Sequence, residues 1–576
     1  MKKLSVSFFC LVLFALTINA QNVVIPDANF KAALIQHGVD TNNDGIIQVS
    51  EANIVDSLNI ANKLITDFTG IEEFTSLEYL NASTNPINTI NLTGNTNLKI
   101  LECYNNSLTG IDLSQNIHLE QLYLLNTSIN SLDLSYNSSL IWVFCPGNQI
   151  VSINFGNNSS IKYLFISDNK LTSIDLSKLT NLEQLDCFNN QLSSLDISNN
   201  TSLLGVGCSK NYLTILDFSN NPNLTSIDIS YNAISTLNLS ANTDLELLAC
   251  NNNQLQTLNA LSNTKLQEVH CDSNNLVTLD FSNSDSLQSV ECNYNELTSI
   301  NLGNSKKMNN LSCCFNHLSN LDISKNTGLF HVYCFNNQIT TLDLSKNLVL
   351  LNLYCSHNLL TSLDISKNLD IERIVVSNNT ISTMDFTSSS KLTFFGCNDN
   401  NFSTLNFSNN PQLLELYCDG NSLTNINLDV SSELKHFSCR NNLLTSLNIE
   451  SNNALETLDC RNNLLSTLNV VENTSLSSLF CENNLSIQKI CLNTTQLSMA
   501  NSYPTYWTKD NFATWSADCA TSIDEMKYLS KNLKITHIYN MLGQEMELEN
   551  AVNGIFIYQY SDGSTKKVGN FSKQIK

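Results

Sequence analysis

Apolar positions recur along most of the chain with a period of 21 residues. The repeat has the form L-x-x-L-x-C-x-x-N-x-L-x-x-L-D/N-L/I-S-x-N-x-x, as in residues 182–202, LEQLDCFNNQLSSLDISNNTS. Alternation in its first half predicts a short β-strand with one buried face. The second apolar pair, such as Leu195 and Ile197, predicts a return limb that also contributes to the core. Because one unit is too small to bury its own apolar face, neighbouring units must stack on each other.

Leucines at these spacings, followed by an asparagine, form the leucine-rich-repeat signature. Over roughly residues 58–490 the chain resembles the internalin family of bacterial leucine-rich-repeat proteins, in the type whose 21-residue repeats carry a cysteine ladder. The resemblance implies an α/β-solenoid with mostly parallel β-strands and irregular or 3-10 return limbs. It also implies that the concave sheet is the recognition surface, without identifying a ligand.

One position of the repeat is nearly always cysteine, and we call this series the cysteine column. It has 19 positions from Cys103 to Cys481, of which 15 are Cys and the others are Leu124, Ile166, Ile229 and Val376. Disulfides, a catalytic thiol and zinc are alternatives. However, side chains in register on parallel strands suit disulfides poorly, no His column accompanies the thiols, and zinc needs clustered ligands. Since aliphatic residues replace cysteine, we interpret the column as core. Cys314, beside Cys313, is expected to point outward as an exposed thiol.

The N-terminal segment, residues 21–57, contains a twelve-residue match to an EF-hand loop, DTNNDGIIQVSE, at residues 40–51. The loop should follow a helix over residues 28–37 and precede a short one. The candidate ligands are Asp40, Asn42, Asp44, the carbonyl of Ile46, Gln48 through a water molecule, and Glu51. Hard oxygen ligands at this spacing suit Ca²⁺. The alternative is a polar turn in which Asp-Gly serves only the backbone. We predict an N-terminal cap with a structural Ca²⁺.

The repeat stops after residue 490, and two cysteines then break its phase. Cys491 and Cys519 enclose a segment with Trp507 and Trp515. An open end of a solenoid exposes core and strand edge and must be covered. We predict a C-terminal cap over residues 491–520, closed by a disulfide between Cys491 and Cys519.

The last segment, residues 521–576, changes composition and has alternating apolar positions that predict a few antiparallel strands. It resembles the C-terminal half of the type A sorting domain of the type IX secretion system. The matching residues are IYNMLGQEM at 538–546, NGIFIY at 553–558, and the basic pair Lys566 and Lys567. The proline-bearing early strand of that domain is missing. The alternative is a small β appendage that closes the cap.

Residues 1–20 have a basic start, an apolar stretch and a small residue at Ala20, which is the layout of a secretory signal peptide. No later stretch approaches the length of a membrane span. The sequence therefore predicts a secreted or cell-surface protein that does not insert into the membrane. A net charge of −23 disfavours nucleic acid as a partner.

Binding residues are expected at the variable positions of L-x-x-L-x-C, which face the concave side. Two groups of aromatic and His residues occur there in successive repeats. The first is Tyr123, Trp142, Phe144, Tyr163 and Phe165, and the second is His331, Tyr333 and Tyr354. Exposed aromatic residues on a rigid sheet are typical of protein-binding hot spots and of sugar-stacking platforms. The alternative is that they stabilise neighbouring strands.

A further column of 18 Asp or Asn residues, from Asp112 to Asn469, follows the return limb. It could bind cations, but a solvated stripe that hydrogen-bonds to turns is the favoured interpretation. Paired carboxylates, a phosphate-binding loop and a nucleophile elbow are not recognisable in the sequence, which disfavours an enzyme. We predict a monomeric, adhesin-like protein that recognises a protein ligand through the concave sheet. The alternative is a carbohydrate-binding surface protein.

Overall fold

The computed structural model describes residues 21–518 and three strands of the C-terminal segment, Ile535–Asn540, Ile555–Tyr560 and Thr565–Gly569. The chain divides into two compact units, Met1–Leu392 and Thr393–Lys576. The predicted signal peptide and Cys519 lie outside the described residues.

The first unit is a solenoid of parallel strands. Each repeat contributes one three-residue strand, and from the second strand on each residue pairs with the one 21 positions later, as Gln184 does with Gly205. The strands are Ser57–Asn59, Tyr79–Asn81, Ile100–Glu102, Gln121–Tyr123, Trp142–Phe144, Tyr163–Phe165, Gln184–Asp186, Gly205–Gly207, Ser226–Asp228, Leu247–Ala249, Glu268–His270, Ser289–Glu291, Asn310–Ser312, His331–Tyr333, Asn352–Tyr354 and Arg373–Val375. The predicted leucine-rich-repeat solenoid is confirmed in this unit.

The return limbs are mostly consecutive turns, because each has few residues in which to come back to the next strand. Short parallel strands form in two places: Ser131–Asp133 with Ser152–Asn154, and Leu258–Asn259 with Thr278–Asp280 and Ser299–Asn301. A 3-10 helix forms at Ile71–Glu73.

The cysteine column lies in the core, as predicted. Its fifteen cysteines are free and buried, and the aliphatic residues that replace cysteine are fully buried too. Burial raises the pKa of Cys103, Cys145, Cys250 and Cys355 to about 12, which keeps these thiols protonated and unreactive.

The prediction for Cys314 is wrong. Cys314 is 3% exposed, although its Sγ lies on the same side of the chain as the Ser312 hydroxyl, 4.0 Å away. The amide of Cys314 donates to Asn293 Oδ1 at 2.7 Å, and burial raises the pKa of the thiol to about 12.

Two buried asparagine ladders bind the repeats together. The first lies three residues after the cysteine column, where Asn190 Nδ2 donates to Cys187 O in its own repeat (3.1 Å) and to Ile166 O in the previous one (3.0 Å). The second is the asparagine of S-x-N, where Asn200 Nδ2 donates to Leu176 O and Leu179 O. The sequence analysis assigned no role to this second position, and Asn200 is fully buried. Both ladders supply donors to buried carbonyls.

Two helices precede the first strand, and the first helix contacts the first repeat. An α-helix spans Ala28–His37, the range predicted from the sequence, and a second one spans Val49–Ala52. Asp27 caps the first helix by accepting from the amides of Asn29 and Phe30, and Phe30 is buried against Phe68 with ring centroids 5.0 Å apart.

The second unit repeats the same plan. Its parallel strands are Phe394–Gly396, Glu415–Tyr417, His436–Ser438, Thr457–Asp459, Ser478–Phe480 and Trp507–Thr508. Return-limb strands pair Thr404–Asn406 with Asn425–Asn427, and Leu468–Asn469 with Lys489–Cys491 and Thr514–Ser516.

An α-helix, Thr494–Ser502, follows the last repeat, and its N-terminus is closed by a capping box of Asn493 and Gln496. Trp507 and Trp515 contact each other edge to face, 6.2 Å apart. Cys491 is disulfide-bonded. Its predicted partner, Cys519, lies outside the described residues, so the pairing stays a prediction.

The C-terminal segment contains a three-stranded antiparallel sheet. Ile535–Asn540 pairs with Ile555–Tyr560, which pairs in turn with Thr565–Gly569. The type IX sorting function of this segment stays a prediction.

Candidate functional site

The strands of the solenoid hold the candidate binding residues in fixed positions. In a strand such as Trp142–Phe144 the central Val143 is fully buried, whereas the residues on either side are half-buried and point to the outer face of the sheet. The parallel pairing places equivalent side chains of neighbouring repeats next to each other. Side chains at these positions therefore form rows across the sheet.

The structure brings the first predicted group together, and we call Tyr123, Trp142, Phe144, Tyr163 and Phe165 the first aromatic patch. The ring centroids of Trp142 and Tyr163 are 4.5 Å apart, and both Trp142 and Phe144 lie 5.6 Å from Phe165. Tyr123 joins at 6.1 Å from Phe144. All five rings are half-buried, so each keeps open area after packing against its neighbours.

Polar groups fix the rings of this patch. The Tyr163 hydroxyl donates to Glu183 Oε2 at 3.0 Å, and Lys162 forms an ion pair with Glu183 at 2.7 Å. The hydrogen bond to Glu183 raises the pKa of Tyr163. The Trp142 indole N–H is shielded from solvent and has no hydrogen-bond partner, which is costly for a polar group. The Tyr163 ring is thus tied to Glu183 of the next repeat.

Two glycines that the sequence analysis did not single out lie two strands beyond Tyr163–Phe165. Strand Gly205–Gly207 has its only side chain, Val206, buried in the core, and Gln184 extends over the strand, since a Cβ on Gly205 would lie 2.1 Å from Gln184 Oε1. A larger residue would displace this glutamine. The glycines therefore leave room for Gln184, whose strand lies between them and the aromatic strand Tyr163–Phe165.

The second predicted group is also contiguous, and we call His331, Tyr333 and Tyr354 the second aromatic cluster. Tyr333 lies 5.2 Å from Tyr354 and 6.4 Å from His331, measured between ring centroids. Asn352 Nδ2 is 2.9 Å from His331 Nδ1, and Arg373 Nε donates to the Tyr354 hydroxyl at 3.1 Å. This cluster is more polar than the first aromatic patch.

The predicted calcium loop closes on itself through hydrogen bonds. Asp40 accepts from the amide of Gly45 at 2.8 Å, and Asn42 and Gln48 link side chain to side chain at 3.0 Å. Gln48 Nε2 in turn donates to Asp44 Oδ2 at 2.9 Å. Ile46, whose backbone carbonyl is the predicted ligand, is 40% exposed.

Glu51, the last candidate ligand, is buried at the closing end of this loop. It accepts from the amides of Thr41, Asn42 and Gln48. Burial opposes its charged form, but the hydrogen bonds from Gln48, Thr41 and Asn42 outweigh this effect and lower the pKa of Glu51. The loop thus holds an ionised carboxylate without a cationic side chain beside it.

In the part of the chain that the structure describes, no three His, Cys, Asp or Glu side chains are grouped so as to hold a metal ion. The Asp/Asn column of the return limb accordingly serves turns: Asp112 Oδ1 accepts from the amide of Ser114 at 2.9 Å, and this bond and the Ser114 hydroxyl lower the pKa of Asp112. Within the described residues, no helix is long and apolar enough to cross a membrane.

Known proteins share this architecture. The family described as Leucine Rich repeats (2 copies) matches residues 159–200. A comparison with curated proteins gives no match. Among solved structures, the functional domain of InlJ from Listeria monocytogenes, which includes a cysteine ladder, is 30% identical over 67% of this chain and 82% of that chain, with a TM-score of 0.55.

Two further solved structures resemble the chain in fold. YopM from Yersinia enterocolitica WA-314 is 22% identical over 76% of this chain and 91% of that chain, with a TM-score of 0.56. The plant peptide hormone receptor RGFR1, in complex with RGF2, is 18% identical over 80% of this chain and 95% of that chain, with a TM-score of 0.53.

Proposed function

Because this chain belongs to the internalin type of leucine-rich-repeat proteins that carry a cysteine ladder, we propose that it is a non-enzymatic binding protein. Its ligand is a protein, recognised by the first aromatic patch on the concave sheet. The observation that carries this proposal is the contiguity of five half-buried rings on neighbouring strands.

The rings of the patch suit a protein ligand because they offer a large apolar contact at little cost in conformational freedom. Their side chains are already packed against each other, so few rotamers remain to be fixed on binding. Tyrosine and tryptophan are enriched in binding hot spots for this reason. Glu183 and Lys162 at the border supply polar contacts that can orient the partner.

Binding by the patch is tested with Trp142→Ala in the full chain, measured on arrays of proteins and of glycans. The matched control is Tyr136→Ala, since Tyr136 is an aromatic residue that is 59% exposed on the return limb. We expect protein ligands to bind the wild type and the control equally and to bind Trp142→Ala at least about tenfold more weakly. Equal binding by all three proteins, or binding to glycans alone, would refute the proposal.

We further propose that the protein is exported and acts in the extracellular space or at the cell surface. The composition of residues 1–20 supports this, and the sorting-domain resemblance of the last segment suggests the type IX route. The test is fractionation of cells that express the full chain or a chain truncated after Asp518. Retention of the truncated chain inside the cell supports the route, and unchanged export argues against it.

We also propose that the loop of residues 40–51 takes up Ca²⁺. Asp40, Asn42, Asp44 and Glu51 would hold the ion with side-chain oxygens, and Ile46 with its carbonyl. The buried Glu51 carboxylate, which has no cationic neighbour, supports this assignment. Ca²⁺ would stabilise the N-terminal cap by binding only the folded loop.

Calcium binding is measured by calorimetric titration of the chelator-treated protein and by its melting temperature. We expect uptake of one ion and a higher melting temperature with Ca²⁺, and neither effect in Asp40→Ala. Asp67→Ala is the matched control, because Asp67 is exposed and lies outside the loop. No uptake by the wild type would show that the loop is only a polar turn.

A further inference from the structure

The position two residues after the cysteine column, which we call the rim column, has a left-handed backbone in every repeat. Its φ angles lie between 52° and 69° at all 19 positions from Asn105 to Asn483. Asn, Asp and Gly tolerate this conformation better than other residues, and they occupy 13 of these positions. The column lies at the edge of the concave sheet, just after the strands.

Six positions of the rim column carry residues that are less suited to it: Lys210, Tyr231, Ser273, Tyr294, Phe315 and His357. A bulky aromatic residue with a φ of 54°, as at Tyr294 and Phe315, is unfavourable. Such costs are kept mainly where they serve function. Backbone conformation therefore does not explain why aromatic residues occupy these positions, and a role of their side chains in function would explain it.

Tyr294 and Phe315 occupy adjacent repeats and stack on each other. Their ring centroids are 4.3 Å apart with an angle of 11° between the planes, and Phe335 meets Phe315 at 5.4 Å and 80°. Tyr294 is 56% exposed and Phe315 is 37% exposed. The pair thus stands out from the edge of the sheet.

The backbone beneath these rings is firmly held. The amide of Phe315 donates to Phe335 O at 3.0 Å, and the amide of Tyr294 donates to Cys314 O at 3.0 Å. The rings are therefore presented by a rigid edge, as binding residues on repeat scaffolds need to be.

We propose that Tyr294, Phe315 and Phe335 form a second contact site that binds an apolar segment of the protein partner. This inference rests on the proposed function, since it assigns additional contacts to the same kind of ligand. We call Tyr294, Phe315 and Phe335 the rim site. It lies outside the first aromatic patch, so substitutions in the rim site and in the patch test the two proposals separately.

The chemistry of the rim favours an uncharged peptide segment. In these three repeats the rim-column residue and the residue before it are all uncharged, although the chain has a net charge of −23. They are Asn293, Tyr294, Cys314, Phe315, Phe335 and Asn336. Phe315 stacks on Tyr294 and meets Phe335 at 80°, so the three rings form one continuous apolar surface. Aromatic side chains of a partner can pack against the faces or the edges of such rings.

The decisive variants are Tyr294→Asn and Phe315→Asn, because asparagine is the common residue of the rim column. These changes relieve the backbone, so the melting temperature should stay the same or rise. Ile215→Asn is the control, since it replaces an apolar residue that is 67% exposed on the return limb.

Binding is measured with the full chain on an array of random 12-residue peptides. We expect the wild type and Ile215→Asn to select the same peptides, rich in aliphatic and aromatic residues. Tyr294→Asn and Phe315→Asn should bind these peptides at least about tenfold more weakly. Unchanged binding in these variants, or no peptide selected by the wild type, would each overturn the proposal.

A parallel measurement with Trp142→Ala separates the two sites. Weaker binding in Trp142→Ala combined with full binding in Phe315→Asn would refute the rim site and leave the proposed function in place. The opposite result would refute the first aromatic patch and support the rim site.

Discussion

Replacing Asn190 by alanine should open the first asparagine ladder at one point. Asn190 Oδ1 accepts from the amide of Leu171 at 3.0 Å, and its Nδ2 donates to Ile166 O and Cys187 O. Each of these carbonyls keeps a second donor, from Asn169 and Asn211. The Leu171 amide, in contrast, loses its acceptor inside the core.

The expected cost follows from this difference. A buried donor left unpaired costs about 1–3 kcal/mol, and each of the two lost bonds to a carbonyl contributes about 0.5–1.5 kcal/mol. We therefore expect a destabilisation of about 2–6 kcal/mol in the affected repeats. Because repeats of a solenoid interact mainly with their neighbours, the effect should be local.

The assay is amide hydrogen exchange at Leu171. The reference is Leu213, the equivalent residue two repeats later, whose amide donates to Asn232 Oδ1. Protection at Leu171 should fall by roughly 30-fold or more in Asn190→Ala, since about 1.4 kcal/mol corresponds to a factor of ten. Gln191→Ala, at an exposed neighbouring position, should change neither amide. Unchanged protection at Leu171 in Asn190→Ala would refute the role assigned to the ladder.

Three further predictions concern the ladders, the thiols and a histidine. Thr127→Asn restores the asparagine that this repeat lacks and should raise the free energy of unfolding by about 1 kcal/mol, measured by urea denaturation; a lower value would contradict the ladder geometry. Alkylating reagents should leave Cys187 and Cys314 unmodified in the native protein and modify them in urea, and native labelling of either would contradict their burial. His270 Nδ1 lies 3.0 Å from Glu291 Oε2, and this hydrogen bond raises the pKa of His270 despite its desolvation. Its contribution to stability should thus be complete below a pH of about 6.5 and disappear as the pH rises through its folded-state pKa. NMR titration should find a lower pKa for His270 in Glu291→Gln, and an unchanged one would refute the pairing.

The repeat made the fold predictable because its fixed positions have one structural role each. The aliphatic substitutes Leu124 and Ile166 indicate from sequence that the cysteine column belongs to the core, and both are fully buried. The rows of aromatic side chains followed from the same register, which placed Trp142 beside Tyr163.

Other features depend on geometry that the repeat pattern does not encode. Cys314 was predicted to be exposed from strand alternation, which places its thiol beside the Ser312 hydroxyl but does not show that the thiol is buried there. The second ladder was not predicted, because a polar asparagine in S-x-N does not show from sequence that it is fully buried, as Asn200 is. The unusual residues of the rim column could be recognised only from the backbone φ angles. The sequence alone does not show that Tyr294 has a left-handed backbone.

The most direct test of the proposed function is oxidative footprinting of the full chain with and without a protein ligand selected on the array. Trp142 and Tyr163 pack together on the concave sheet, whereas Tyr136 is 59% exposed on the return limb. The account predicts that the ligand lowers the oxidation rate of Trp142 and Tyr163 and leaves that of Tyr136 unchanged. Protection of Tyr136 with unchanged oxidation of Trp142 and Tyr163 would contradict it.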